Sequence, residues 1–242
     1  MPPGVPTKVR TESKARLSGA FLIGACILLC LPLPGFGQQA KALDPAAEDK
    51  DKEVMVSWLY GPYVPKDVPL LPMTPRNRLR LYERQSFTTP GIYLKSGFVG
   101  MIQQANGTPQ DWGGGAEGYG RRVASNYGQY LIQNSFSASG NALLQYEPRY
   151  DRCHCTGLWP RTRHALLRNF LTYNQTEREL RPQFALYGAA FASGMIASTW
   201  KPRTEVWTEG SYGMLAQAAF GLLSNWIGEF APEINRVLHK KR

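Results

Sequence analysis

Ala185, Ala189, Ser193 and Ala197 recur every four residues through residues 184–200, a stretch without a charged side chain. Positions four apart share one face of a helix. Small side chains on that face let a second helix backbone approach closely. Ala190, Gly194 and Ser198 form a parallel row. A chain of this kind has to build helices packed through Gly, Ala and Ser.

The device repeats elsewhere. Ala116, Gly120, Ala124 and Gly128 are four apart, and Ile132, Phe136 and Gly140 continue the row. Each glycine costs about 1 kcal/mol against alanine inside a helix, so the regular spacing needs a packing reason. It predicts one long helix over 115–145, with Gly113 to Gly115 as a flexible start. Gly210, Met214 and Ala218 form another row, with Gly221 and Gly228 seven apart beyond it. Between these lies "PRTRHALLRNFLTYN". Its Leu166, Leu167, Phe170 and Leu171 face one way, and Arg161, His164 and Arg168 the other, which is the pattern of an amphipathic helix.

Thr74-Pro75, Thr89-Pro90 and Thr108-Pro109 each pair a capping threonine with a proline suited to the first helical position. They place helix starts near 75, 90 and 109, with a stop at Asn106-Gly107. The expected fold is mainly α, a bundle of about five to seven helices over residues 74–242. Sustained period-two alternation is missing, which disfavours an outer-membrane β-barrel. Residues 184–200 and 210–228 are uncharged and have Trp200, Trp207 and Trp226 near their ends, as membrane spans do. They also carry Gln, Asn, Ser or several glycines, so buried helices of a bundle are the favoured reading.

Residues 1–37 read as a signal peptide. Lys8, Arg10, Lys14 and Arg16 precede "AFLIGACILLCLPL", and a small-x-small site ends at Gly37. Cleavage there would start the mature chain at Gln38. Two alternatives are a lipidated Cys26 after "IGA" and an uncleaved anchor over residues 17–33. All three place the body outside the cytosol, in the periplasm or outer envelope. Residues 1–37 hold four basic and one acidic side chain, so their loss lowers the formal charge from +10 to +7. Residues 38–73 read as a linker: first polar and disordered, then a proline-rich arm with Trp58, Tyr60 and Tyr63 as anchors.

The chemistry-bearing motif is "YDRCHCTGLW". In an exported chain, Cys153 and Cys155 are expected to be oxidised, and Arg149, Arg152, Arg161 and Arg163 nearby would favour thiolate if they were not. A disulfide comes first, a redox-active pair second, and a zinc site made by Cys153, His154, Cys155 and His164 third. The one-residue spacing is shorter than structural zinc sites use, and no cofactor is expected. Glu117 and Arg121 form an i,i+4 pair, while Glu147 and Asp151 lie among arginines. An acid/base role for these carboxylates, including a hydrolase built on Glu117, is weaker than plain ion pairing. No nucleotide-binding, metalloprotease or serine-hydrolase motif occurs.

"GPYVP", "RLRLYERQSFTTPG", "DWGGGAEGYGRR" and "YEPRYDRCHCTGLWPRTRHAL" together resemble a group of uncharacterised exported bacterial proteins over residues 58–240. That resemblance implies export and brings no activity or catalytic residue. The positive charge suits an acidic partner such as anionic lipid or an acidic envelope polymer, with a protein partner also open. No recognised nucleic-acid motif is present, so specific nucleic-acid binding is not expected. The leading expectation is a structural or interaction protein at the membrane surface of the cell envelope. The alternative is redox or metal chemistry at Cys153-His154-Cys155.

Overall fold

The computed structural model describes residues 55–65 and 69–239. The chain divides into residues 1–44 and 45–242. The expected signal peptide, its alternatives and the polar first part of the linker lie outside the described residues.

The described body is a mainly helical bundle. Six α-helices run in order: α1 (Pro75–Glu83), α2 (Pro90–Ala105), α3 (Gly115–Leu143), α4 (Leu158–Phe170), α5 (Phe184–Ala197) and α6 (Val206–His239). Where a barrel would need long strands, these residues form helices. The arm contributes β1 (Val56–Ser57) and β2 (Gly61–Val64), which pair antiparallel; β2 then pairs parallel with β3 (Tyr150–Asp151), Tyr63 beside Tyr150. A hairpin of β4 (Leu171–Tyr173) and β5 (Leu180–Pro182) separates α4 from α5.

Two of the three Thr-Pro pairs open helices as expected. Thr74 accepts a hydrogen bond from the Asn77 amide at 3.2 Å, with Pro75 at the first helical position. Pro90 opens α2 without a side-chain cap. The third pair does not start a helix near 109. It leads only into a 3₁₀ turn at Gln110–Trp112, and the long helix begins at Gly115. The reason is Arg122, which is fully buried. Its guanidinium donates to the carbonyls of Thr108 (2.7 Å), Pro109 (2.9 Å) and Gly113 (2.9 Å) and to Gln104 Oε1 (2.6 Å). The loop wraps this cation instead of continuing as helix, and the four acceptors offset the cost of burying it.

α5 is the centre of the bundle, packing on α3 and α6, while α2 packs on α3 and α4 on α6. The two rows predicted on α5 lie inward: Ala185, Ala189, Ala190, Ser193, Gly194 and Ala197 are buried, and Ser198, the last of the second row, is half-buried at the C-cap. A Cβ on Gly194 would lie 2.3 Å from the Glu209 carbonyl oxygen. The row on α3 is different. Ala116, Gly120 and Ala124 are exposed, and nothing lies within 4 Å of a Cβ placed on Gly120 or Gly128. Gly140, against Ala185, packs as predicted, and Ile132 and Phe136 are half-buried. The buried face of α3 is Gly118, Arg122, Ser125, Asn126, Gln133 and Ser137.

α4 is also turned over. Leu166, Leu167 and Phe170 are 41, 45 and 48 % exposed, whereas Arg168 is 5 % exposed and Ala165 and Asn169 are buried with it. The polar face looks inward because its groups have partners there. Arg168 reaches Asp151 at 2.5 Å and the Leu171 carbonyl at 2.6 Å. Asn169 donates to Tyr187 Oη at 2.8 Å and to the Ala218 carbonyl at 3.2 Å. The buried interior thus holds many small residues and polar groups, most of them hydrogen-bonded, with Ser86 Oγ the exception among the described residues. Large side chains such as Leu94, Phe98, Trp159, Trp207 and Leu215 lie outside. An apolar cluster of the usual kind is confined to Met73 and Leu81, with Val56 against them. Among the described residues, no helix is long and apolar enough to cross a membrane.

Candidate functional site

Cys153 and Cys155 are joined by a disulfide, with Cα atoms 5.2 Å apart. The bridge lies one residue past β3 and precedes α4, so it sits where the arm, the strand and the bundle meet. The Cys155 amide donates to Cys153 Sγ at 3.2 Å. The Cys153 amide donates to Glu229 Oε2 at 3.1 Å. Glu229 comes from α6 and is fully buried. It also accepts from Tyr150 Oη at 2.7 Å and from Arg161 Nε at 3.0 Å, and Arg161 donates a further bond to the Glu229 carbonyl. Burial first, and then the Glu229 carboxylate, push the Tyr150 hydroxyl far above the ordinary tyrosine range. Arg161 bonds Glu233 as well, at 2.8 Å, which holds the Glu233 carboxyl below its usual value.

Three of the four arginines expected to activate the cysteines have other partners, and the fourth, Arg163, is exposed. Arg149 grips Glu147 through both Nε (2.8 Å) and Nη2 (2.9 Å). Arg152 donates to the Gly228 carbonyl at 2.8 Å and to Tyr60 Oη at 3.1 Å, and its guanidinium faces the Tyr63 ring at 5.1 Å. Tyr60 and Tyr63 therefore do anchor the arm. The Trp58 ring is exposed, and this residue seats by its backbone, whose carbonyl rests where a Cβ of Gly91 would be.

The remaining candidate residues are dispersed. His154 is exposed. His164 donates from Nε2 to the Asp151 carbonyl at 2.8 Å. Among the described residues no group of three or more His, Cys, Asp or Glu side chains is placed to hold a metal ion. Glu117 and Arg121 form an exposed 2.5 Å pair. Glu147 is bound by Arg149 and Gln175, and Asp151 by Arg168, so each carboxylate is already neutralised by its own arginine.

A second feature is a concavity apart from the disulfide. A cavity of about 490 Å³ is bounded by the arm, α2, α3, α4 and α6. Lys95 of α2 lines it, with Nζ 4.2 Å from the centre of the Tyr130 ring and 4.8 Å from that of Phe220. Arg149 and Arg168 also line it but are bound to Glu147 and Asp151. Among the described residues no carboxylate lines the cavity and Lys95 has no ion pair. Removal from bulk water lowers its pKa to about 8. Sequence reading missed both Lys95 and Glu229. A signal existed for each: Lys95 is the one charge between Arg84 and Asp111, and Glu229 is the first charge after the uncharged run 210–228.

No family model, curated protein or solved structure matches this chain.

Proposed function

We propose that this is an exported cell-envelope protein that acts by association, seating outward apolar side chains and its positive charge on an anionic membrane surface. The observation that supports this most is the reversed polarity of α4. Helices of a water-facing bundle bury their apolar stripe; here α4 exposes it and buries Arg168 and Asn169. Trp159, Trp207 and Trp226 are exposed as well, and tryptophan suits the boundary between headgroups and acyl chains. The formal charge of +10, or +7 after loss of residues 1–37, complements anionic lipid.

Flotation with vesicles of mixed zwitterionic and anionic lipid tests this reading. The protein should float with anionic vesicles at low salt and release partly at high salt, because screening weakens the charge contribution. Replacing Leu167 and Trp207 with glutamine should reduce flotation without unfolding the bundle. A protein that stays at the bottom of the gradient at low salt is not a membrane-surface protein, and its exposed leucines and tryptophans would then mark a protein interface.

Redox chemistry at Cys153 and Cys155 is the second reading. Little in the geometry favours it. Arg149, Arg152 and Arg161 are held by other groups, and the charged side chain bonded to the motif's backbone is the Glu229 carboxylate, which would oppose thiolate.

A further inference from the structure

The cavity beside Lys95 has a polar floor and an apolar rim. Gln133, Arg168 and Asn169 line it from buried positions, whereas Leu59, Leu94, Phe98 and Leu223 line it while keeping large exposed areas. Its volume of about 490 Å³ falls within the usual range for small-molecule sites. Asn134 and Ser224 also line it, and their side chains hydrogen-bond to no other described residue. Lys95 therefore stands with two other free polar groups around one space, its ammonium facing only the Tyr130 and Phe220 rings among the described residues.

Ring faces attract a cation but replace only part of its lost hydration. An unpaired ammonium held in this way is an incomplete ion pair. The group that completes it is an anion small enough to reach Nζ, and the apolar rim dictates what else that anion carries. We infer that the cavity binds a small aliphatic carboxylate, its head on Lys95 and its tail lying along Leu94, Phe98 and Leu223. A carboxylate accepts one charge-assisted bond from Lys95 and has lone pairs left for the Asn134 amide or the Ser224 hydroxyl. The apolar tail would cover side chains otherwise left against water. This inference does not depend on membrane association, since the site is formed by the protein alone.

The charge on Lys95 also gives the site a pH signature. Its amine loses its proton near pH 8, so affinity should fall between about pH 7 and about pH 9.5. Of the other groups lining the cavity, Arg149 is paired with Glu147 and Arg168 with Asp151. Tyr130 and Tyr150 stay neutral because burial raises both. Tyr60 receives the Arg152 hydrogen bond.

The test is calorimetric titration of the purified protein with decanoate, decanol and decyltrimethylammonium. Decanoate should bind at least about tenfold more tightly than either of the others. Lys95→Met should lose that preference and Lys95→Arg should recover part of it. Equal affinity for decanoate and decanol, or a Lys95→Met variant that binds decanoate as the parent does, overturns the inference. So does failure of decanoate to bind the folded protein. Should Lys95→Met not fold, the decanoate-to-decanol ratio at the two pH values decides the matter alone. Flotation with vesicles reads the membrane proposal separately, so either can fail without the other.

Discussion

Tyr150 donates its phenolic hydrogen to Glu229 across 2.7 Å, joining a two-residue strand to a helix 79 positions later. The same carboxylate takes the Cys153 amide and Arg161 Nε, so one buried charge holds the arm's strand, the disulfide turn and α4 against α6. The pair should be energetically coupled. Tyr150→Phe is expected to cost about 1–3 kcal/mol, because the bond is to a charged acceptor. Glu229→Ala should cost more, about 3–5 kcal/mol, since it leaves the Tyr150 hydroxyl and the Cys153 amide without their acceptor and Arg161 with Glu233 alone. Urea unfolding of both single variants and the double variant gives the coupling; a value within error of zero would show that the hydroxyl and the carboxylate act independently.

The disulfide should be a modest staple. Bridging Cys153 and Cys155 closes a very small loop, and chain-entropy reasoning assigns such a loop only about 1–2 kcal/mol. Cys153→Ser with Cys155→Ser should lower Tm by a few degrees, and the parent's cysteines should resist alkylation until reduced. A collapse of the fold, or an unchanged Tm under reductant, would each contradict that estimate.

Two glycines separate the spacing seen in sequence from the packing that results. Gly194 abuts the Glu209 backbone, so Gly194→Ala should destabilise by about 1–3 kcal/mol. Gly120 is exposed in mid-helix with open space beside it, and Gly120→Ala should stabilise by about 0.5–1 kcal/mol. Thermal unfolding of the two variants measures both signs. A loss at Gly120 would mean that another chain packs on that face.

Lys95 should make stability depend on pH in a defined direction. Its folded pKa of about 8 lies below the ordinary 10.5. Between those values the unfolded chain binds more protons, so stability rises with pH there. Above about pH 10 the raised tyrosines, among them Tyr187 at about 12, act in the opposite sense. Lys95→Met should stabilise the protein near pH 7 by about 2 kcal/mol and flatten the rise from pH 8 to 10. Denaturant midpoints across that range decide it; a variant with the parent's pH profile would show that the amine titrates normally.

The sequence alone determined where most helices lie. Thr74-Pro75 and Thr89-Pro90 act through local capping and the fixed proline φ, and the four-spaced rows of α5 report a face that any close neighbour must use. Only the tertiary structure decided which face of α3 and α4 turns inward. Periodicity shows that two faces differ and takes the apolar one as buried. In this protein Arg122, Arg168 and Asn169 find acceptors across the bundle, which makes burial of the polar face affordable and leaves Leu166 and Leu167 outside. The same holds for both candidate sites. Glu229 meets Cys153 from 76 residues away, and Lys95 meets Phe220 across a still longer separation. A charge isolated in an apolar run can be noticed in the sequence, but its partner is set by which helices pack together.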